Sequence, residues 1–461
     1  MTRILSFIAA SFLFLLVAVP AEALDIERVV SPGGIEAWLV EEHQVPMIVM
    51  KAAWRGGAAY DPQDKHGLAN MVSGLLDEGA GDMDSQTYQK ALDDNAVKLG
   101  FDASRDHFST TLKTLADRRD EAFRLFALAI GKPRFDKPAV ERIRAQILTN
   151  LSQKKENPDW LAGRAWFEAA FGDHPYARST DGTPESVKAI TQDDLKGFAK
   201  RVLARDNLKI AVVGPITPEE LGPLLDKTFG ELPEHAALPT LSEAKIATEK
   251  KPIVVEKPFP QSVVMFGTQG IKRADPDFIP AYVMNYVLGG GSFSSRLMEE
   301  VRVKRGLVYS IYSSLYPLDH AGFLFGQLGT KNKTVGVALK IVRQQLERMA
   351  KSGITPEELK DAKTYLTGSY PLRFDSNSSI ADQLLGIQLE NLGIDYVEKR
   401  NGLIEAVTRE DVQRAAKRIL GSGKWLVAIV GQPDLSEDVP AEGDMKPMED
   451  GPRHNDIGGL N

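Results

Sequence analysis

The sequence predicts an α+β protein of two homologous halves, each a mixed or mostly antiparallel sheet covered by helices on one face. Two observations lead to this fold class. Residues 190–214 and 407–431 align without gaps, with nine of 25 positions identical and an offset of 217 residues. In both copies a Thr precedes a helical pattern that begins with acids and ends with Lys-Arg, and an apolar strand ending on Gly follows. An offset of about half the chain indicates a tandem duplication and not a short solenoid repeat.

The remaining elements are predicted from periodicity and from turn residues. Thr217 and Thr355 each open the word Thr-Pro-Glu-Glu, in which Thr can cap a helix and the second Glu can complete a capping box. Apolar and alternating runs predict strands at 47–54, 98–103, 108–112, 208–213, 261–268 and 425–430, and helices at 123–130 and 140–151. The strands at 98–103 and 108–112 are expected to form a hairpin.

The N-terminal segment predicts that the protein is exported. Arg3, a mostly apolar run over 4–19 and the Ala-Glu-Ala sequence at 21–23 match a secretory signal cleaved after Ala23. The alternative is a membrane anchor, but the run is shorter than the roughly 20 residues that a span needs. We therefore expect a periplasmic or secreted protein without stable membrane insertion. The predicted organisation is a signal peptide (1–23), an N-terminal half (24–232), a linker (233–251), a C-terminal half (252–433) and a disordered tail (434–461).

Composition excludes several classes of function. The chain contains no cysteine, which removes disulfides, thiolate metal sites and cysteine nucleophiles. A hydrophobic content of 43% over this length allows a large core without disulfides. The net charge of −7 argues against nucleic acid as a partner. None of the seven histidines lies four residues from another, so no helical histidine pair exists.

The segment 66–79 has the setting of a metal site without its ligands. Its apolar residues recur at helical spacing and predict a buried helix. Helices of this kind can carry two histidines four residues apart with a glutamate between them, which places two zinc ligands and a general base on one face. The matching positions hold Asn70, Ser73 and Gly74. We expect no hydrolysis by a zinc ion of this chain's own.

The segment 287–310 carries the densest local pattern in the second half. Three glycines at 289–291 interrupt regular structure, Ser294 or Ser295 can cap a helix, and Gly306 ends it before a strand at 307–311. A glycine run can cradle phosphate. No Lys-Ser or Lys-Thr pair follows it here, so nucleotide binding is disfavoured.

Taken whole, 287–310 resembles the pitrilysin/insulinase family of zinc metallopeptidases, and most closely its mitochondrial-processing-peptidase-like branch. A Gly-rich loop, a Ser-Arg-Leu helix and an Arg and a Tyr with six residues between them recur there, here as Arg302 and Tyr309. The strings at 67–69, 173–176 and 182–186 resemble the family's first half. The resemblance covers roughly residues 25–433 and implies two halves that face each other like a clam shell.

The departures from the family concern its zinc chemistry. The first zinc histidine corresponds to Asn70, the catalytic glutamate to Ser73, the second histidine to Gly74 and the downstream zinc glutamate approximately to Asn150. Glycine has no ligand atom, and neutral amide oxygens are poor zinc ligands beside imidazole or carboxylate. The resemblance therefore implies the subunit type that lacks the zinc-binding motif, with no cofactor in this chain.

The family also implies a role. Some members are heterodimers in which one subunit holds zinc and the other keeps the Arg/Tyr pair. We expect a homologous zinc-bearing partner, peptide substrates, a substrate-binding role for Gly289, Gly290 and Gly291, and catalytic roles for Arg302 and Tyr309 as donors to the substrate carbonyl.

Plainer interpretations stay open at this point. Arg302 follows Glu299 by three residues and could form only a surface ion pair. Tyr309 lies in an apolar strand and could be ordinary core. The whole chain could also be an inactive homologue that acts as a peptide-binding or assembly scaffold, and homodimerisation is a further alternative to a zinc-bearing partner.

Overall fold

The fold is an α+β arrangement of two related halves. The computed structural model describes residues 24–248 and 251–437, so the predicted signal peptide and residues 438–461 of the predicted tail lie outside it. Each half contains one twisted sheet, with six strands in the first half and five in the second. The prediction of two homologous halves, each with a mostly antiparallel sheet, is confirmed.

The two sheets share one topology. The strands are β1 (Glu27–Val30), β2 (Glu36–Glu41), β3 (Met47–Arg55), β4 (Lys98–Ala103), β5 (His107–Leu115), β6 (Leu208–Gly214), β7 (Ile253–Glu256), β8 (Gln261–Gln269), β9 (Val308–Leu318), β10 (Ala321–Lys331) and β11 (Leu426–Gly431). Their orders are β1-β2-β6-β3-β5-β4 and β7-β11-β8-β10-β9. The β2–β6 and β7–β11 pairs are parallel, and every other pair is antiparallel. Apart from β1, each strand of one sheet has a counterpart in the other, which is the structural trace of the duplication.

Four of the helices begin directly after the threonines that the sequence predicts as their N-caps. The helices are α1 (Leu68–Ser73), α2 (Ser85–Asp94), α3 (Arg119–Gly131), α4 (Lys137–Lys154), α5 (Pro158–Phe171), α6 (Pro184–Ala189), α7 (Gln192–Val202), α8 (Pro218–Phe229), α9 (Phe278–Asn285), α10 (Val335–Ser352), α11 (Pro356–Gly368), α12 (Asn377–Leu389), α13 (Tyr396–Glu405) and α14 (Arg409–Leu420). Complete capping boxes stand at Thr191, Thr217, Thr355 and Thr408. The two copies of the repeat are therefore α7–β6 and α14–β11.

Both faces of each sheet are covered, so the expectation of helices on one face is wrong. Helix α5 leaves the first half and packs on the second sheet, where its Trp166 indole N–H donates to the carbonyl of Leu426 at 3.2 Å. In return α12 of the second half packs on the first sheet, where its Gln388 donates to the carbonyl of Ile210 at 2.9 Å. The physical reason is the strand sequence: β6 and β11 are buried residue after residue, and only a sheet covered on both sides accommodates such runs.

The connecting segments contribute no regular structure. Residues 233–248 of the predicted linker contain neither helix nor strand. Residues 434–437, the described start of the predicted tail, lie against α10, where the Gly336 N–H donates to the carbonyl of Asp434 at 3.0 Å. Within the described residues no helix is long and apolar enough to cross a membrane.

Candidate functional site

The positions that correspond to the family's zinc ligands meet in one cavity of the first half. This N-half cavity has a volume of about 320 Å³ and lies between the end of α1, helix α4 and the edge strand β4. Asn70, Ser73 and Gly74 line it from α1, and Asn150 lines it from α4. The fold thus brings together the four positions that the resemblance assigns to the zinc site.

The helix that carries three of them is shorter than predicted. The pattern over 66–79 suggests one long helix, but α1 ends at Ser73, and Leu75 and Leu76 are buried in the turns that follow. The Ser73 hydroxyl donates to the carbonyl of Asn70 at 2.8 Å, a local bond that competes with helix propagation. At the other end, the buried Asp61 carboxylate accepts the N–H of Gly67 at 2.9 Å, and burial raises its pKa to about 7.

The side chains of the N-half cavity do not fit a zinc ion. Asn70 and Asn150 offer neutral amide oxygens, Ser73 uses its hydroxyl on the backbone, and Gly74 offers nothing. Across the described residues no group of three or more His, Cys, Asp or Glu side chains is placed to hold a metal ion. The charged wall residues are Lys154 and Asp181, and they pair with each other at 2.7 Å, so the single carboxylate of the wall is already engaged.

A second cavity occupies the corresponding place in the other half. This C-half cavity has a volume of about 540 Å³ and lies beside the edge strand β9. Tyr282, Asn285 and Tyr286 line it at the same i, i+3, i+4 spacing as Asn70, Ser73 and Gly74 in the N-half cavity. Its wall is aromatic and hydroxylic, with further contributions from Ser292, Met298, Ser310, Tyr312, Ser314, Tyr316 and Phe325.

The predicted glycines shape this second cavity. Gly289 and Gly290 line it, and Gly291 follows outside the wall. A Cβ on Gly289 would lie 2.6 Å from the backbone nitrogen of Ser313, so the close approach of the two backbones excludes any other residue. Asn285 also binds Ser313 through two hydrogen bonds. Its amide N–H donates to the Ser313 carbonyl at 3.0 Å, and its amide oxygen accepts the Ser313 hydroxyl at 2.8 Å.

The predicted helix after the glycines is present but wider than an α-helix. π-helical segments run over Tyr286–Gly290 and Met298–Val303, on either side of the glycine loop. Ser295 accepts the N–H of Met298 at 3.5 Å, and Gly306 ends the segment in the left-handed region at φ +60°. π-Helical turns are rare and occur frequently at functional sites.

Arg302 and Tyr309 both lie near the C-half cavity but outside its wall. The Arg302 guanidinium lies over the ring of Phe293, 4.9 Å from its centre, and Phe293 is 63% exposed. The alternative of an ion pair with Glu299 is not found among the described residues, where the nearest cation to that carboxylate is the Lys304 ammonium at 3.8 Å. Tyr309 is half-buried, and its hydroxyl accepts the Gln261 amide at 3.1 Å, so it is not ordinary core. Among the described residues no hydrogen bond or cation–π contact joins Arg302 to Tyr309.

Sequence reasoning missed the aromatic residues of the C-half cavity. Tyr282 and Tyr286 could be found by applying the spacing of 70, 73 and 74 to the second half, because the duplication relates the two helices. Tyr312 and Tyr316 are two of the alternate residues on one face of β9, and this alternation marks them as a surface.

Comparison with known proteins identifies the family. The model for the insulinase family, peptidase family M16, matches residues 53–184, and the model for the peptidase M16 inactive domain matches residues 189–366. A protein named non-peptidase homolog YmxG from Helicobacter pylori is 33% identical over 346 residues, covering 74% of this chain and 78% of that protein. An uncharacterized zinc protease from Mycobacterium leprae is 26% identical and covers 89% and 93%.

A solved structure agrees with these sequence matches. The structure titled peptidase M16 inactive domain from Pseudomonas fluorescens superposes with a TM-score of 0.83 at 31% identity, covering 90% of this chain and 99% of that one. The degenerate N-half cavity accounts for the likeness to inactive relatives in chemical terms. The chain belongs to the insulinase family, peptidase family M16, as a homologue of its inactive, non-peptidase members.

Proposed function

We propose that this chain is the non-zinc subunit of a heteromeric periplasmic zinc endopeptidase, in which a homologous partner carries the zinc ion. One observation carries the proposal. The N-half cavity has lost every zinc ligand, while the second half keeps a glycine-framed aromatic cavity with Arg302 and Tyr309 beside it. A chain without any part in peptide chemistry has no evident need for the second set.

In this role this chain would bind the peptide, and the partner would supply the zinc ion. The C-half cavity would hold an apolar or aromatic side chain of the peptide. Arg302 and Tyr309 would donate to the carbonyl oxygen at the partner's metal and stabilise the negative charge that develops there. Removing one comparable donor typically lowers kcat by about 10²–10³. Two facts support this role for Arg302. Its guanidinium lies over the Phe293 ring, and it has no acidic partner among the described residues, so its N–H groups are available to a substrate carbonyl.

The test is reconstitution with a zinc-bearing homologue from the same organism. We expect no cleavage of a quenched fluorescent peptide library by this chain alone, and zinc-dependent cleavage by the pair. In the pair, Arg302→Ala or Tyr309→Phe should lower kcat by about 10²–10³. Arg305→Ala is the matched control, because Arg305 pairs with Glu300 on the surface; it should leave kcat within about twofold.

The outcomes separate this role from the alternative of an inactive scaffold. An unchanged kcat in both the Arg302 and Tyr309 variants would refute their proposed role. A stable complex that binds peptide without accelerating cleavage would favour the scaffold. Stoichiometric zinc in the isolated chain would contradict the argument from the lost ligands.

A further inference from the structure

Two arginines contact one short turn of the first half, and a third follows that turn in the sequence. The 3₁₀ turn at 175–177 receives Arg105 Nε at the carbonyl of Tyr176 (3.5 Å) and Arg164 Nη1 at the next carbonyl, that of Ala177 (2.8 Å). Arg178 follows directly, and its Nη1 donates away from the turn, to the backbone carbonyl of Asp61 at 3.1 Å. Burial, and then the charges of Arg178 and Arg164, lower the pKa of His66, which places both guanidinium groups near that ring. Because two guanidinium groups contact adjacent carbonyls, the positive charges lie close together. We call Arg105, Arg164 and Arg178 the arginine cluster.

The arginine cluster is poorly compensated by acids. In the described part of the chain its one ion pair joins Arg164 Nη2 to Glu168 at 4.0 Å, and the Glu168 side chain is 74% exposed. The neighbouring Asp106 accepts the Tyr176 hydroxyl, so its carboxylate is already engaged. Each guanidinium has five N–H donors, and each uses one in the hydrogen bonds above. Burial lowers the pKa of Arg105 and of Arg164 and outweighs the opposing charges of the nearby acids, Asp106 at the first and Glu168 and Asp181 at the second.

Neighbouring residues connect the arginine cluster to the walls of both cavities. One helical turn before Arg164, the indole N–H of Trp160 donates at 3.4 Å to Asp181, which lines the N-half cavity. On the other side, Arg105 is close enough to Tyr316 of the C-half cavity for each to shift the other's pKa. An extended peptide that reaches from one cavity to the other would pass the arginines.

We propose that Arg105, Arg164 and Arg178 form a subsite that binds a carboxylate of the bound polypeptide and selects acidic peptides. The inference rests on the proposed function, since it assigns the substrate class of that peptide-binding surface. Guanidinium groups match carboxylates in shape and bind them through paired, charge-assisted hydrogen bonds. The protein as a whole carries a net charge of −7 and repels acids at long range. The net charge of the protein therefore cannot attract acidic peptides, whereas a local cluster of arginines can.

Three labelled peptides test the proposal by fluorescence anisotropy with the full chain. All contain one Phe in a Gly/Ser background; the first has a Glu-Glu pair and an amidated C-terminus, the second Gln-Gln and an amidated C-terminus, and the third Gln-Gln and a free C-terminus. Charge-assisted hydrogen bonds predict about tenfold tighter binding of the first peptide than of the second, falling with added salt. Equal strengthening of the third peptide would assign the subsite to a terminal carboxylate instead of acidic side chains.

The variants Arg164→Gln and Arg178→Gln should abolish the preference. Arg124→Gln is the control, because this variant also removes one positive charge from the protein. Arg124 lies outside the arginine cluster and pairs with Glu121 on the exposed side of α3. Arg105 is not replaced, because it packs 3.7 Å from the Phe167 ring centre and its loss could unfold the chain. Arg178→Gln alone should weaken the preference, measured on protein whose melting temperature equals that of the wild type. Equal affinity for all three peptides, or a preference that survives the variants, would overturn the inference alone. Failure of every peptide to bind would also overturn the inference, whereas the proposed function is tested separately by the reconstituted pair.

Discussion

The two cavities occupy equivalent places in the duplicated fold and have opposite chemistry. In the first half the three positions of the i, i+3, i+4 pattern hold Asn70, Ser73 and Gly74, small side chains around a cavity of about 320 Å³. In the second half the same spacing holds two tyrosines and Asn285, around about 540 Å³. The backbone frame is common to both, so the difference lies in side chains. Loss of metal chemistry in the first half did not require loss of the cavity.

The backbones differ in one respect that matters for the site. Helix α1 ends at Ser73 and continues as turns, whereas α9 continues into the π-helical turn Tyr286–Gly290. A π turn inserts an extra residue and widens the helix. In the second half this brings Gly289 against Ser313, and only a residue without a side chain fits. The second cavity therefore depends on its glycines, and the first does not.

The largest effect should come from restoring the zinc ligands to the first half. The N–H of Gly74 still donates to the carbonyl of Asn70 at 3.4 Å, so positions 70 and 74 lie one helical turn apart. Gly74 has φ −82° and ψ 1°, which any residue can adopt. We expect the variant Asn70→His, Ser73→Glu, Gly74→His, Asn150→Glu to bind about one zinc per chain, measured by elemental analysis after dialysis.

The control for this experiment is the same variant with Gly74 retained, which should bind zinc far more weakly because one ligand is missing. A Cβ at position 74 would lie 3.3 Å from Ile143, so a small side-chain movement is needed to admit histidine. If the full variant folds and holds no zinc, the two cavities differ in backbone as well as in side chains.

These results show how much of the site the sequence can predict. The cavity around Asn70 and Asn150 follows from a resemblance in residue spacing, because a duplicated fold fixes which helices meet. The end of α1 at Ser73 could not be predicted from periodicity, since the buried Leu75 and Leu76 continue the pattern in a different backbone. The arginine cluster is also invisible in the sequence, because its members come from three distant segments that only the tertiary fold brings together.

The exchange of α5 and α12 was missed for a related reason. Strands such as β11 read as buried on both faces, which indicates a second covering layer but does not say which helix supplies it. Several strands are predicted closely, since β4 has the expected bounds and β3, β6 and β8 extend one residue beyond theirs, but β1, β2, β7 and β10 were not predicted. Local pattern thus gives the elements, and long-range packing decides their partners.

A matched glycine pair should give the next largest effect. Gly289→Ala would place its Cβ 2.6 Å from the backbone nitrogen of Ser313, which cannot move without distorting β9. We expect the free energy of unfolding to fall by about 2–3 kcal/mol, measured by urea titration. Gly74→Ala, the counterpart in the first half, should change it by less than about 1 kcal/mol. Equal losses at the two glycines would contradict the view that only the second cavity depends on close backbone approach.

The smallest effect concerns the seam between the halves, where α12 covers the first sheet. Burial raises the pKa of Glu390, which follows α12, to about 7, and the charges of Asp319 and Asp106 add to this while Arg273 opposes it. The folded protein therefore binds more protons than the unfolded chain between about pH 4.5 and 7, and its stability falls as pH rises through that window.

Glu390→Gln removes this titration. Below about pH 4.5 the variant and the wild type should unfold alike, because a protonated Glu resembles Gln. At pH 8 the variant should be more stable by about 1–2 kcal/mol, a value reduced from the full shift because the side chain is partly exposed. Urea titrations at pH 4.5, 6 and 8 measure the difference. A variant less stable than the wild type at pH 8 would mean that the Glu390 carboxylate is stabilised by Arg273 more than burial destabilises it.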